Sequence, residues 1–213
     1  MTRPRPLGFG SAPLFDAAIP DREGHRSGTV RHGGAPRLLF ICTANISRSS
    51  YAELRLRQLL GQDAAWAVAS AGVPGLAGRR MDARMAALAV ERGVNPEEID
   101  AFRSRPLTAR MLARAGLVLT METAHRSRIL DDYPQARARV LTLAQAADAA
   151  QRLTAAEADS PDALAAALAA NAPAATSQND VPDPFRRSAA AARDSADRID
   201  AALTHLLPLL RAT

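Results

Sequence analysis

Residues 37–50 have the sequence RLLFICTANISRSS, and the architecture expected for the chain follows from this segment. Residues 38–41 form a short apolar run, which favours a buried strand over a helix. The run stops at Cys42, the only cysteine of the chain, and after a loop of mostly small and polar residues the segment YAELRLRQLL has helical apolar spacing. A strand, a tight loop and a helix N-terminus in this order form an anion site, because loop N–H groups and the helix dipole converge there.

Cys42 and Arg48 have the spacing of a nucleophile and an anion clamp. A helix N-terminus and a nearby arginine stabilise a thiolate, and the planar guanidinium can hold two oxygens of a phosphate. The spacing alone is weak evidence, because 27 of the 213 residues are arginine. A lone cysteine at the end of a strand is also ordinarily a small buried hydrophobe.

The longer string CTANISRSS, residues 42–50, resembles the active-site loop of the low-molecular-weight protein tyrosine phosphatase family. Further matches follow in order and spacing: SAG at 70–72, VLTME at 118–122 and DPF at 183–185. The alternation of strands and helices predicts a parallel α/β sheet. The resemblance, which covers about residues 37–212, implies a three-layer, flavodoxin-like fold with four strands in the order 2-1-3-4 and helices on both faces. It places the site at the carboxyl end of the first strand.

The apolar spacing and the Gly and Pro signals predict the individual elements. We expect strands at 65–71, 117–121 and 140–143 in addition to the first. The helices are predicted at 48–60, 81–92, from Pro106 onward, at 122–131 and at 188–207, with Pro208 kinking or ending the last one.

The chain is expected to comprise an extension and one domain. Residues 1–36 hold Pro, Gly and Arg without periodicity and are predicted to be a flexible N-terminal extension, followed by a phosphatase-like α/β domain at 37–213. Residues 145–179 form an Ala-rich insertion compared with the usual family pattern. Alanine favours one or two helices there, but it buries little area, so we expect a mobile cover beside the site rather than part of the core.

The resemblance also implies roles for individual residues. Cys42 is the expected nucleophile of a cysteinyl-phosphate mechanism, Arg48 holds the phosphate, and Asp183 is the general acid, with Asp180 as the fallback. Asn45 is expected to hold the loop in shape, and Ser49 to donate a hydrogen bond to the Cys42 sulfur. The expected substrate-binding set is Thr43, Ala44, Asn45, Ile46, Ser47, Ser49, Leu76 and Phe185.

The function implied is phosphomonoester hydrolysis, with a tyrosine-phosphorylated protein as the partner. Two alternatives stay open. An arsenate reductase that uses an external small thiol remains possible, whereas the form that relays oxidation through further cysteines is excluded by the single cysteine. A non-catalytic phosphoprotein-binding relative is the other alternative.

Composition limits the remaining function classes. The net charge is +5, but the arginines are spread along the chain and aromatics make up only 4%, so nucleic acid is not an expected partner. No apolar run approaches the length of about 18 residues that would suggest a membrane span. One free cysteine and the lack of a signal-peptide pattern favour the cytoplasm. The four histidines lack ligand spacing, so we expect no metal and no other cofactor, in a monomer or weak dimer.

Overall fold

The structure, a computed structural model, describes residues 37–62, 64–157 and 159–213. The predicted extension at 1–36 lies outside these residues. The strands are β1 (Arg37–Cys42), β2 (Ala67–Gly72), β3 (Ala115–Thr120) and β4 (Val140–Thr142). The α-helices are α1 (Arg48–Leu60), α2 (Ala83–Glu91), α3 (Pro96–Ala101), α4 (Ala109–Ala113), α5 (Thr123–Asp132), α6 (Leu143–Ala150), α7 (Pro161–Asn171) and α8 (Ala189–Ala212). Short 3-10 helices span Pro134–Arg139, Ala155–Glu157 and Ser177–Asn179.

The four strands form one parallel sheet in the order β2-β1-β3-β4, which confirms the predicted topology. β1 is central, and Leu39 pairs with Ala69 of β2 on one side and Val118 of β3 on the other. The carboxyl ends of β1 and β3 therefore meet at one edge of the sheet. This edge carries the loop that follows Cys42.

Helices cover both faces of the sheet. Leu38 and Phe40 belong to one core cluster with buried residues of α1, α2, α6, α7 and α8. Side chains alternate between the faces of a strand, so Leu39 and Ile41 point the other way, and the helices α4 and α5 contact β3. Every residue of β1 except Arg37 is buried, as expected for the centre of a doubly covered parallel sheet.

The Ala-rich segment was predicted to be a cover rather than part of the core, and its exclusion from the core was wrong. Leu164 and Leu168 lie one helical turn apart on α7, and both are fully buried in the core cluster. The segment is also tied down by polar contacts, because Gln145 Nε2 donates to the Pro173 carbonyl (2.6 Å) and Arg152 to the Asn171 carbonyl (2.9 Å). Two buried leucines one turn apart are enough to anchor a short helix whose other residues are mainly alanine.

Two helix predictions differ from the structure, and one helix was not predicted. The predicted helix at Pro106 begins only at Ala109, because the Leu107 N–H pairs with the Gly72 carbonyl (2.8 Å) and Thr108 caps the helix. α3, which Asn95 caps, had not been predicted. α8 runs to Ala212, beyond the predicted end at 207, so Pro208 does not end it. Pro208 and Thr204 are exposed, so the carbonyl that loses its N–H donor lies on the side of the helix that faces water.

Candidate active site

The loop from Cys42 to Arg48 is fixed from behind by the segment that follows β2. Backbone N–H groups of residues 73, 75 and 76 donate to the carbonyls of residues 42, 43 and 44 at 2.8, 2.9 and 3.3 Å. Gly72 permits this approach, since a Cβ there would lie 2.6 Å from the Thr43 carbonyl oxygen. The SAG match therefore marks a packing requirement. With its carbonyls paired on this side, the loop is suited to offering N–H groups to an anion on the other.

Asn45 holds the loop at its sharpest bend. Its φ of 59° lies in the left-handed region, which asparagine tolerates better than most residues. The buried side chain donates to Ser49 Oγ (2.9 Å) and Ser70 Oγ (2.7 Å), and it accepts from the Arg105 N–H (3.0 Å). The expected supporting role of Asn45 thus has a structural basis. Ala44 fits the loop without a left-handed backbone, since Asn45 and Arg186 alone among described non-glycine residues have positive φ.

A buried polar cluster lies behind Asn45. Ser70 Oγ donates to Glu53 Oε2 (2.5 Å), and both carboxylate oxygens of Glu53 lie 3.4 Å from Arg105 Nη2. Burial raises the pKa of Glu53, and the neighbouring Arg105 and the Ser70 hydrogen bond oppose this shift. Sequence reasoning missed Glu53 and Arg105, because their contacts with Ser70 join separate elements of the fold.

Cys42 Sγ sits at the base of the loop with two polar contacts. Ser49 Oγ lies 3.0 Å from the sulfur, and the Asn45 N–H points to it at 3.3 Å. Ser49 Oγ accepts from the side-chain amide of Asn45, and its own proton has two acceptors, the sulfur at 3.0 Å and the more distant Ala71 carbonyl at 3.4 Å. Hydrogen bonds of this kind stabilise a thiolate over a thiol. The side chains of Asn45 and Ser49 are buried behind the loop, so they support it rather than line the cleft.

Arg48 is buried, with 1% of its side chain exposed, and is held in place by acceptors from two other segments. One nitrogen, Nη1, donates to Glu122 and to the Val181 carbonyl (2.8 Å). Its Nη2 lies 3.4 Å from Thr43 Oγ1. Glu122 lies two residues after the end of β3, so it reaches the same sheet edge as the loop. We had not predicted Glu122 as a site residue, although the VLTME match and the parallel topology were available signals.

His125 completes a ring of side chains beneath the loop. Its Nε2 lies 2.9 Å from Thr43 Oγ1 and 3.8 Å from Glu122 Oε2. Burial lowers the pKa of His125, and the Arg48 charge acts in the same direction, whereas Glu122 opposes it. His125 was also missed from the sequence, since a lone histidine on a helix carries no local signal.

The two acidic candidates are clearly separated. Asp183 lines the cleft, and its Oδ1 lies 3.5 Å from Arg48 Nε. Asp180 instead accepts from the Thr123 N–H (2.8 Å) and the Thr123 hydroxyl (2.9 Å) at the start of α5. Asp180 is therefore engaged in capping a helix, and Asp183 is the carboxylate available to a bound molecule.

The loop that follows β1 borders a cleft of about 290 Å³, and the walls of this cleft are mainly apolar. The predicted wall residues Leu76 and Phe185 both line it and are 45% and 40% exposed. The lining residues are Cys42, Thr43, Ala44, Ile46, Ser47, Arg48, Pro74, Gly75, Leu76, Asp183 and Phe185. Such a cleft combines an anion site at its base with flat apolar sides.

Residues 37–170 match the family model described as low molecular weight phosphotyrosine protein phosphatase. The chain belongs to this family. It is therefore a phosphatase by family, and the resemblance inferred from residues 42–50 is confirmed.

Relatives of this phosphatase differ in the substrate that their names give. The low molecular weight protein-tyrosine-phosphatase Etp of Escherichia coli (strain K12) is 34% identical over 108 residues, which are 51% of this chain and 69% of Etp. A protein-arginine-phosphatase of Geobacillus stearothermophilus is 32% identical over 111 residues, 51% of this chain and 70% of the relative. The solved structure of Vibrio vulnificus Wzb in complex with benzylphosphonate superposes with a TM-score of 0.57 at 25% identity, covering 80% of this chain and 97% of Wzb.

Within the described ranges, no helix is both long and apolar enough to cross a membrane. The same residues contain no group of three or more His, Cys, Asp or Glu side chains that could hold a metal ion.

Proposed function

We propose that this phosphatase hydrolyses phosphotyrosine in proteins through a cysteinyl-phosphate intermediate. The observation that carries the proposal is that one cleft contains the Cys42 sulfur, the buried Arg48 guanidinium and the Asp183 carboxylate, with Asp183 Oδ1 3.5 Å from Arg48 Nε. These are a nucleophile, a transition-state clamp and a proton donor for one displacement at phosphorus.

In the first step the Cys42 thiolate attacks phosphorus, and the P–O bond to the tyrosine oxygen breaks. The loop N–H groups and Arg48 hold the three equatorial oxygens, where negative charge is concentrated. Asp183 gives its proton to the leaving phenolate. The Ser49 hydroxyl, 3.0 Å from the sulfur, stabilises the thiolate before attack.

In the second step water attacks the phosphorus of the cysteinyl-phosphate. Asp183, now ionised, takes a proton from that water, and the P–S bond breaks to return the Cys42 thiolate and release inorganic phosphate. The Ser49 hydrogen bond supports the departing sulfur in this step as well.

The cleft walls support an aryl phosphate as the substrate class. Leu76 and Phe185 face the space above the loop, and a phenyl ring between two apolar walls buries area without needing hydrogen bonds. The related Wzb of Vibrio vulnificus binds benzylphosphonate, a phosphonate on an aromatic ring.

Phosphoarginine is a second candidate, since a relative of comparable identity is named a protein-arginine-phosphatase. A guanidinium group has several N–H donors that need acceptors when they are buried. Asp183 is the only carboxylate that lines the described cleft. The apolar walls at Ile46, Leu76 and Phe185 therefore favour phosphotyrosine.

The proposal includes the setting of the enzyme. We place it in the cytoplasm, where a single thiol nucleophile stays reduced, acting on tyrosine-phosphorylated protein as a monomer or weak dimer. Its catalytic domain spans residues 37–213, including the Ala-rich segment at 145–179.

The test compares substrates on purified full-length protein. We expect rapid phosphate release from a phosphotyrosine peptide and from p-nitrophenyl phosphate, inhibition by vanadate, and loss of both activities in Cys42→Ala. Phosphoarginine peptide and arsenate with a small thiol are assayed in parallel. Faster turnover of phosphoarginine or of arsenate would replace the proposal by the corresponding alternative, and no turnover of any substrate would favour a binding protein.

A further inference from the structure

Arg186 occupies an unusual backbone position next to Phe185, a residue that lines the cleft. The Arg187 N–H donates to the Pro184 carbonyl (3.0 Å), which closes a four-residue turn, and Arg186 is the third residue of this turn with φ 57°. Turns with positive φ at this position favour glycine or asparagine, because a side chain there is strained. Strain of this kind in a loop beside an active site is a reason to look for a functional contact.

The turn places the Arg186 guanidinium over the ring of Phe185. Its central carbon lies 5.2 Å from the centroid of the Phe185 ring, within the range of a cation–π contact. Phe185 lines the cleft, so the charge is held beside the place where a substrate ring would enter. Within the described part of the chain no carboxylate pairs with this guanidinium.

Asp183, the acidic residue three positions before Arg186, is already engaged elsewhere. Asp183 Oδ1 accepts from the Phe185 N–H (3.3 Å) and lies 3.5 Å from Arg48 Nε, so this carboxylate faces the base of the cleft. Arg187 is exposed and adds a second positive charge to the turn. The turn beside Phe185 therefore carries two positive charges, while the phosphate of a substrate would bind the loop at the base of the cleft.

We propose that Arg186 recognises an acidic residue adjacent to the phosphotyrosine of the substrate. The inference rests on the proposed function. One residue advances an extended peptide by about 3.5 Å, so a neighbour of the bound tyrosine reaches a group that stacks on the wall of its pocket. A planar guanidinium on an aromatic ring keeps its N–H edges free for a carboxylate.

The experiment uses two phosphotyrosine peptides that differ only in the flanking residues, glutamate in one and glutamine in the other. Full-length wild type, Arg186→Asn and Arg186→Lys are compared by kcat/KM, each normalised to its own turnover of p-nitrophenyl phosphate. Asparagine tolerates the left-handed backbone, so the turn is kept while the charge is removed. Arg211→Asn is the matched charge control, because Arg211 contacts the Leu59 carbonyl at the far end of α1.

We expect the wild type to prefer the glutamate peptide by about 2- to 5-fold, the range of an exposed ion pair. Arg186→Asn should abolish this preference, Arg186→Lys should keep part of it, and Arg211→Asn should keep it in full. The preference should also weaken at high salt. Equal turnover of both peptides by the wild type, or an unchanged preference in Arg186→Asn, would overturn the inference.

The same comparison distinguishes this inference from the proposed function. If p-nitrophenyl phosphate is hydrolysed without any flank preference, only the role of Arg186 fails. If no substrate is hydrolysed, the role of Arg186 is tested by binding instead. The affinity for each of the two peptides is measured for Cys42→Ala and for the double variant Cys42→Ala/Arg186→Asn. Tighter binding of the glutamate peptide that depends on Arg186 supports the role, and equal affinities contradict it.

Discussion

Replacing the two aspartates near the cleft should give two different phenotypes. Asp183 is 44% exposed and contacts Arg48, so Asp183→Asn should leave the fold intact and remove the proton donor. Asp180 caps α5 through Thr123, so Asp180→Ala should weaken the fold and leave the chemistry in place. The pair of variants therefore separates catalysis from support within one segment.

The two magnitudes follow from these contacts. Loss of a general acid lowers turnover by about 10²–10⁴, which corresponds to about 3–5 kcal/mol of transition-state stabilisation. The effect should be large for phenyl phosphate, whose leaving group needs the proton, and small for p-nitrophenyl phosphate. Loss of a helix-capping carboxylate costs about 0.5–2 kcal/mol of stability. Asp180→Ala should lower the free energy of unfolding by this amount.

The assay measures kcat on both aryl phosphates and unfolding in urea for the wild type and the two variants. Asp183→Asn should change the ratio of the two turnover numbers, and Asp180→Ala should keep the wild-type ratio. An equal, small loss on both substrates in Asp183→Asn, or a selective loss in Asp180→Ala, would refute the assignment of Asp183 as the acid.

Three further predictions concern the core, pH and oxidation. Leu168→Ala in α7 should lower the free energy of unfolding by about 2–5 kcal/mol, because this side chain is fully buried. Val90→Ala on the surface is the control and should change the free energy of unfolding little. Equal, small effects of both variants on unfolding in urea would contradict the packing of α7. Burial lowers the pKa of His125 from 6.5, so the neutral form favours folding above that pH, and this stability is lost as the pH falls below it. His125→Asn should flatten the pH dependence of unfolding there, and an unchanged slope would show that His125 does not cause it. Peroxide without added thiol should inactivate the protein irreversibly, because no second cysteine can trap Cys42 sulfenic acid. The intact mass should show two added oxygens, and Ser47→Cys should slow the irreversible phase. An unmodified Cys42 would show that the thiolate is not activated.

Sequence reasoning succeeded where the fold is specified by local pattern. The apolar run before Cys42, the helix that begins at Arg48 and the glycine that ends it are all signalled within about 25 residues. The order of the strands came from the family resemblance. The structure brings Cys42, Arg48 and Asp183 to one cleft, because their motifs lie at the carboxyl edge of the sheet.

The site residues that sequence reasoning missed depend on contacts between segments that are distant in the sequence. Glu122 is set against Arg48 by the pairing of β1 with β3, and Glu53 reaches the loop through Ser70 and Arg105. A local pattern does not contain such contacts. The burial of α7 was misjudged for another reason, since average alanine content concealed two leucines at positions i and i+4. The spacing of these leucines is a better guide to the packing of α7 than its alanine content.

The most direct test of the central claim is to trap the covalent intermediate. Purified protein is mixed with p-nitrophenyl phosphate, quenched rapidly in acid and measured by intact mass. The proposed mechanism predicts a fraction of the chain that carries one added phosphoryl group, located on Cys42 by peptide mapping and increased in Asp183→Asn, whose second step lacks its base. Turnover with no phosphorylated chain at any quench time in either protein, or a phosphoryl group on another residue, would contradict it.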